Sequence, residues 1–399
     1  YFETGALYAE HTRELLLSTA FFLKRMRLPS YPNGFEAYDD QRFAHFALNF
    51  FTGIEVAGRL PLFGDAGPDY QISTNGSSFD KGTLMAALQF YRYSHKKEIC
   101  DEALQTVSKM LKDMPADSKS GEANLFQTYK MDELIKKSQT VKDQPSALQS
   151  TMLFDYGTLI LRQGEKDNER AALMRFGPTL NHGQADELGL AFYAKGRDFS
   201  FDPGYFNTHF RFGFTSTTVG HNLVVVNRSN QMHKPSPGGD LQTWTNGDVL
   251  KSTAVNNPQV YSDQNVTEYK RRMALINISS DESYIVDNFW VKGGKEYDYS
   301  IHGIKGGKLE VDTHCRDARP CVSTGSVLSD KVDYSSEMDP NGRVNSFRNK
   351  PFYYAPPGGG YGFLSHPSFY VLNGPASLQW SSIDGTDHKM YVWHFAPKT

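Results

Sequence analysis

The apolar residues of this chain keep a helical period for about the first 140 residues and then change to alternation for the remainder. That single switch limits the fold to a helical domain followed by a β domain. Residues 6 to 27, "ALYAEHTRELLLSTAFFLKRMR", set Leu15, Leu16, Ala20, Phe22 and Leu23 at helical spacing and end on basic residues that suit a helix C-terminus. "DDQRFAHFALNFFTGIEVAG", "KGTLMAALQFYRYSH" and "KEICDEALQTVSKMLKDM" repeat the pattern, parted by Pro- and Gly-bearing loops such as "RLPLFGDAGPDY". "IKKSQTVKDQPSALQS" is polar, loses the period and reads as a linker. From "TMLFDYGTLILRQG" onward come short β runs, among them "LGLAFYA", "HNLVVVN", "YKRRMALINI", "YIVDNFWV", "ASLQW" and "MYVWHFA". Strands that follow one another without crossover helices pair antiparallel. The expected class is therefore α+β, with helices over residues 1–145 and an antiparallel β-sandwich over 146–399.

Composition removes several functions. No apolar stretch approaches the length of a membrane span, and a formal charge of −3 provides no basic field for nucleic acid. The chain has no Gly-rich phosphate loop, nucleophile elbow or zinc-protease helix, so nucleotide chemistry and serine hydrolysis have no support, and no organic cofactor is expected. Of three cysteines, Cys100 stands apart, while Cys315 and Cys321 are close enough to close one small loop. Aromatic residues make up 13% of the chain, which suits stacking on sugar rings and equally suits an antiparallel core. Sequons at Asn75, Asn227, Asn265 and Asn277 nudge the expectation towards an exported protein, secreted or periplasmic, and the lack of a visible signal peptide is uninformative because the chain opens on Tyr1 rather than Met.

Residues 181 to 205, "NHGQADELGLAFYAKGRDFSFDPGY", gather His182, Gln184, Asp186, Asp202 and Tyr205 around one short hairpin. The hairpin is expected to turn at Lys195-Gly196, and Asp202-Pro203-Gly204 to form a tight turn. Asn181 and His182 can supply a base beside a carboxylate-binding amide, or they are a hydrogen-bonded edge pair. Gln184, Asp202 and His221 can converge on a cation, or they form a buried polar network. Tyr8, His11 and Leu15 share one helix face, where a tyrosine is commonly core. Arg271 and Arg272 alternate across a strand, one to each face, and surface pairing is their default.

Taken together, "NHGQADELGLAFYAKGRDFSFDPGY" and "TVGHNLVVVNRSNQ" resemble the heparinase II/III-like polysaccharide lyases, whose pattern is roughly His-Gly-His-x-Asp, an apolar strand, Gly-Arg, Asp-x-Gly, then Thr-x-x-His-Asn and a valine strand. "YFETGALYAEHTRELLL" looks like the family segment that opens a toroid helix. The resemblance implies an incomplete α/α toroid joined to a β-sandwich, with an anionic polysaccharide or oligosaccharide bound between them. It implies β-elimination at a uronic acid, with Tyr8, His182 and Tyr205 as the catalytic group. Asn181, His11, Arg211 and Arg271 are its candidate substrate-binding residues, and Gln184, Asp202 and His221 its candidate ligands for a structural divalent cation. Gln184 stands where the family pattern has a histidine, which weakens zinc and leaves room for a harder cation such as manganese or calcium, or for none. The upstream catalytic helix motif of the family has no counterpart in the seven residues before Tyr8. Alginate is the favoured substrate, since a near-neutral protein suits an unsulfated polymer. Glucuronan and glycosaminoglycans follow, and the rivals are a uronate C5-epimerase and a carbohydrate-binding protein with a decayed site. The pattern leaves the oligomeric state open.

Overall fold

A computed structural model describes residues 6–56, 60–66, 78–113, 131–141, 149–154, 156–164, 168–180, 182–200, 202–204, 211–232, 238–304, 306–312, 321–322, 325–330, 358–370 and 374–395. The chain divides into two compact units: Ala6–Pro61 with Asp69–Leu148, and Tyr1–Gly5, Leu62–Pro68 and Gln149–Thr399. The short segment 62–68 thus belongs with the β unit, although it lies inside the helical half of the sequence. The expected boundary at 145/146 did not separate it.

The helical unit contains α1 (Ala6–Arg25), α2 (Gln41–Ile54), α3 (Ser78–Tyr93), α4 (Lys97–Asp113) and α5 (Asp132–Ser138). Each of the middle three buries a stripe at three- and four-residue steps: Ala44, Ala47 and Leu48 on α2, Leu84, Ala87 and Leu88 on α3, Ile99, Ala103 and Val107 on α4. Asp40 starts α2 by accepting from the backbone N–H groups of Arg42 (2.8 Å) and Phe43 (3.2 Å), which satisfies donors a helix start leaves open. α1 is rotated from expectation. It buries Ala9, Arg13, Leu17 and Ala20, whereas Leu15 is 68% exposed and Leu16 and Phe22 are exposed as well. The reason is Arg13, which enters the core with its charge answered. Its guanidinium donates to Glu10 (2.5 Å) on its own helix, to Thr83 (2.7 Å) on α3 and to the Ala47 carbonyl (3.4 Å) on α2.

Gly82 is what makes room for this ion pair, since a Cβ there would stand 2.2 Å from both the Arg13 guanidinium and the Glu10 carboxylate. Gly82→Ala is expected to lower the unfolding free energy by about 1–3 kcal/mol through overpacking, although it raises helix propensity. A urea melt of the variant that matches the parent would show that the pair can shift at no cost.

The β unit opens with a five-stranded antiparallel sheet, β1 (Thr151–Leu153), β2 (Thr158–Gln163), β3 (Arg170–Arg175), β4 (Leu190–Ala194) and β5 (Arg197–Ser200), paired in chain order. β6 (Val224–Val226) pairs with β11 (Tyr297–Tyr299). Between them lies a meander of β7 (Asp240–Asn246), β8 (Leu250–Asn256), β9 (Glu268–Asn277) and β10 (Ser283–Lys292). The first sheet and the meander close over one core. Leu159, Leu161, Ala172 and Met174 of β2 and β3 meet Val255, Tyr269, Met273 and Leu275 of β8 and β9. β12 (Lys308–Asp312), β15 (Ala376–Ser381) and β16 (Lys389–His394) form a further sheet, and β13 (Cys321–Val322) pairs with β14 (Ser368–Phe369). Every strand pair described is antiparallel, so helices and antiparallel sheets coexist as the change of period requires. No helix among the described residues is long and apolar enough to cross a membrane. Cys315 lies outside the described residues, so the small cysteine loop does too.

Candidate functional site

The polar stretch 181–205 surrounds the β4–β5 hairpin. Lys195 and Gly196 both take positive φ (51° and 78°), the left-handed pair that a two-residue hairpin turn demands, so the turn falls where the sequence placed it. The loop entering β4 carries two further left-handed residues, His182 (φ 54°) and Leu188 (φ 66°). Left-handed backbone is uncommon outside glycine, and histidine tolerates it better than leucine does. Both are held by hydrogen bonds. The His182 carbonyl accepts from the Asp65 backbone N–H (2.8 Å), and the Leu188 N–H donates to the Arg175 carbonyl (2.8 Å). His182 is half-buried, at the margin of a wholly buried polar interior.

That interior is built in layers behind His182. Glu187 is fully buried and accepts from the Thr179 N–H (3.1 Å) and hydroxyl (2.9 Å) and from Asn257, while Gln231 exchanges two bonds with its backbone. Asp186, also buried, pairs with Arg175 (2.8 Å), and Arg175 reaches on to the Pro178 carbonyl (2.7 Å). Asp202 binds the His221 Nδ1 (3.0 Å) and accepts from the Gly204 N–H (2.9 Å). Gln184 donates to the Gly204 carbonyl (3.0 Å) and to Asp65 (3.2 Å). Gly204 itself has φ 61°, and a Cβ there would stand 2.1 Å from the Ala66 carbonyl. Gly204→Ala is therefore expected to cost about 3 kcal/mol, from left-handed strain and a backbone clash together. An unchanged thermal midpoint would mean that the turn is not held as closely as its contacts indicate.

Beside the expected Asp202 and His221 the fold places a further buried carboxylate, that of Asp186. Asp186, Asp202 and His221 offer ligand atoms that all lie within 4.8 Å of one another, each side chain buried. Gln184 is buried as well: its amide nitrogen donates to Gly204 and Asp65, and its Oε1 has no hydrogen-bond partner. Asp186 Oδ2 and His221 Nε2 are buried with no hydrogen-bond partner, so the donor set of two carboxylates and an imidazole fits a divalent cation. Burial raises the carboxyl of Asp186, with Arg175 pulling it partly back. At His221 burial opposes the charged form, but Asp202 and Asp186 prevail and hold the imidazole above its ordinary range. His302 beside it is driven the other way, to about 4, by burial and then by His221.

Arg271 is corrected outright. It is 0% exposed and points into the core, as alternation sends one of the arginine pair to each face. Its guanidinium grips Asp287 at 2.8 and 2.9 Å and donates to the carbonyls of Leu188 (2.6 Å) and Asn222 (2.5 Å) and to the Tyr299 hydroxyl (3.1 Å). Burial works against its charge, yet Asp287 keeps it firmly protonated. With every nitrogen engaged, it has nothing to offer a sugar carboxylate and acts as a brace across the exits of both polar loops.

Asn181 and Tyr205 lie outside the described residues. Of Arg211 the structure gives the backbone, the first residue of a single π-helical turn (Arg211–Thr215). Tyr8 and His11 belong to the helical unit. Tyr8 is half-buried, its ring edge-on to His11 at 6.3 Å, and the His11 side chain is 71% exposed. Tyr8 therefore lies off the buried Ala9–Arg13–Leu17 stripe of α1, away from the helical core. Members of the buried network without a signal in the sequence are Asp65, Arg175 and Glu187. Asp65 sits 119 positions from Gln184, a distance no local pattern spans. Asp186 was visible as the final Asp of the His-Gly-His-x-Asp pattern.

No protein-family model matches the chain, and no curated protein matches it. Among solved structures it is similar to a heparinase III gene product, at 12% identity and a TM-score of 0.45, over 99% of this chain and 58% of that one. It is also similar to heparan sulfate lyase HepC from Pedobacter heparinus, at 13% identity and a TM-score of 0.33, over 68% of this chain and 48% of that one. A third likeness is to another heparinase III, at 10% identity and a TM-score of 0.30, over 96% and 67%. The chain spans about 58% of the length of the first of these structures.

Proposed function

We propose that this chain is part of a polysaccharide lyase that cleaves a uronic-acid polymer by β-elimination, with alginate the preferred substrate. One observation carries the reading: His182 is held in a left-handed turn at the half-exposed margin of a fully buried polar network. Unfavourable backbone that is this well anchored is a feature of sites where a side chain must be aimed. The resemblance of residues 181–205 to the heparinase II/III-like pattern supplies the chemistry, and with it the reading of the two units as toroid and sandwich.

In the proposed reaction a base removes the C5 proton of a uronate, the C5–H pair becomes the C4–C5 double bond, and the C4–O bond breaks. An acid then delivers a proton to the departing oxygen. His182 and Tyr8 are assigned these two transfers, and Tyr205 shares them or binds substrate. The C5 proton becomes acidic only when the adjacent carboxylate is neutralised, a job for Asn181 and Arg211 now that Arg271 is withdrawn. His11 remains a candidate contact for the sugar. The near-balanced charge of −3 favours unsulfated alginate. A divalent cation held by Asp186, Asp202 and His221 would fasten the loop before β4 to the turn after β5, a structural task. Chelator-treated protein should then gain thermal stability when zinc, manganese or calcium is restored. The functional test is a panel of alginate, glucuronan, hyaluronan, chondroitin and heparan sulfate, read by the ultraviolet absorbance of the unsaturated product. Absorbance should rise with alginate first. Silence across the panel would reject the lyase, and deuterium uptake from solvent without absorbance would select the epimerase.

A further inference from the structure

The β7–β10 meander has a core face and an outer face, and the outer face is unusual. Tyr269, Arg271, Met273 and Leu275 point inward on β9, so Lys270 and Arg272 stand on the other side. There the register sets Trp290 of β10 opposite Lys270, and Asn288 opposite Arg272. The Lys270 ammonium lies 5.6 Å from the Trp290 ring centre and the Arg272 guanidinium carbon 5.9 Å from it. Trp290 is nonetheless 42% exposed. Neither cation forms an ion pair with a carboxylate among the described residues. Glu268 is on the same face but is opposite Lys292, outside ion-pair reach of Lys270. Asn256 of β8 faces Lys270 across the strands and adds an amide.

Cations beside an indole shield part of its surface, which explains one of them. Two placed together repel each other, and neither is answered by an acid, so the pair lacks the charge that would settle it. A pyranose stacks its C–H face on an exposed tryptophan, and a carboxylate or sulfate on that ring answers both cations. A neutral sugar leaves them unanswered. A lipid surface calls for a broad basic field, and here the acidic Glu268 interrupts it.

We propose that the outer face of this sheet, at Trp290, Lys270 and Arg272, is a non-catalytic binding site for an anionic saccharide. It rests on the lyase reading only for its choice of a uronate polymer as occupant. The test is affinity electrophoresis of the His182→Ala protein through gels containing alginate, hyaluronan or heparan sulfate, with dextran as the neutral control. At least one anionic polymer should retard the protein, dextran should not, and added salt should release it. Trp290→Ala and the double variant Lys270→Gln/Arg272→Gln should each weaken retardation about tenfold, while Trp290→Phe, which keeps an aromatic ring, retains most of it. Equal retardation of parent and variants, retardation by no anionic polymer, or Trp290-dependent sedimentation with anionic phospholipid vesicles instead of polymer overturns the proposal. If the polymer panel yields no unsaturated product but Trp290-dependent retardation persists, the lyase reading fails and this site stands. Product formation with retardation indifferent to Trp290 rejects this site and leaves the lyase reading intact.

Discussion

Arg271→Met is expected to lower the unfolding free energy by about 3–5 kcal/mol, the range for breaking a buried ion pair from one side. Methionine fills much of the volume, so the loss is electrostatic and polar rather than a cavity. It leaves Asp287 with the Tyr299 hydroxyl, the Asn222 carbonyl with the Leu190 N–H, and the Leu188 carbonyl without its Arg271 donor. Those carbonyls belong to the segments that follow His182 and His221, so the strained turn at Leu188 loses one of its two ties and keeps the N–H bond to the Arg175 carbonyl. Arg271→Lys should rescue little, because one ammonium cannot replace a planar fork that serves four partners. Urea denaturation decides the matter. A change below about 1 kcal/mol for Arg271→Met would show that water or rearrangement satisfies the partners.

His182→Ala is expected to reduce turnover by about 10²–10⁴-fold, the usual contribution of a positioned acid or base. Alanine at φ 54° adds backbone strain, so the informative companion is His182→Asn. Asparagine accepts left-handed backbone but cannot exchange a proton near neutral pH. Both variants should lose unsaturated product to a similar degree while binding polymer as the parent does. If His182→Asn keeps near-parent turnover, the histidine is a turn residue and the chemistry lies elsewhere.

The legible parts of this molecule were those governed by short-range patterns. The helical stripes of α2, α3 and α4, the Lys195-Gly196 turn and the alternation of Arg271 and Arg272 all depend on neighbours within a few positions. β7 and β8 carry little signal, because "DLQTWTN" and "LKSTAVN" are rich in polar residues and β7 lies largely open to solvent. α1 is rotated because hydrophobicity alone cannot anticipate that an arginine, once paired with Glu10, will occupy the core in place of Leu15 or Leu16. In the candidate site, the pairing of Asp202 with His221 followed from the resemblance, whereas Asp65 and Arg175 depend on contacts that only the folded chain creates. Arg271 misled for a physical reason. A cation on a strand reads alike whether it is turned toward solvent or toward a buried carboxylate.

Asp65 also bears on the order of assembly during synthesis. Its segment emerges from the ribosome more than a hundred residues before Gln184, to which it bonds, and does so flanked by helices of the other unit. The helical unit therefore cannot be released as an uninterrupted piece of chain without carrying away the strip that closes the His182 turn. A polypeptide ending at residue 148 would hold that strip with nothing to dock on, and one beginning at 149 would lack the N–H that holds the His182 carbonyl. The two units are interdependent in chain, because the N–H that holds the His182 carbonyl comes from a loop made long before it.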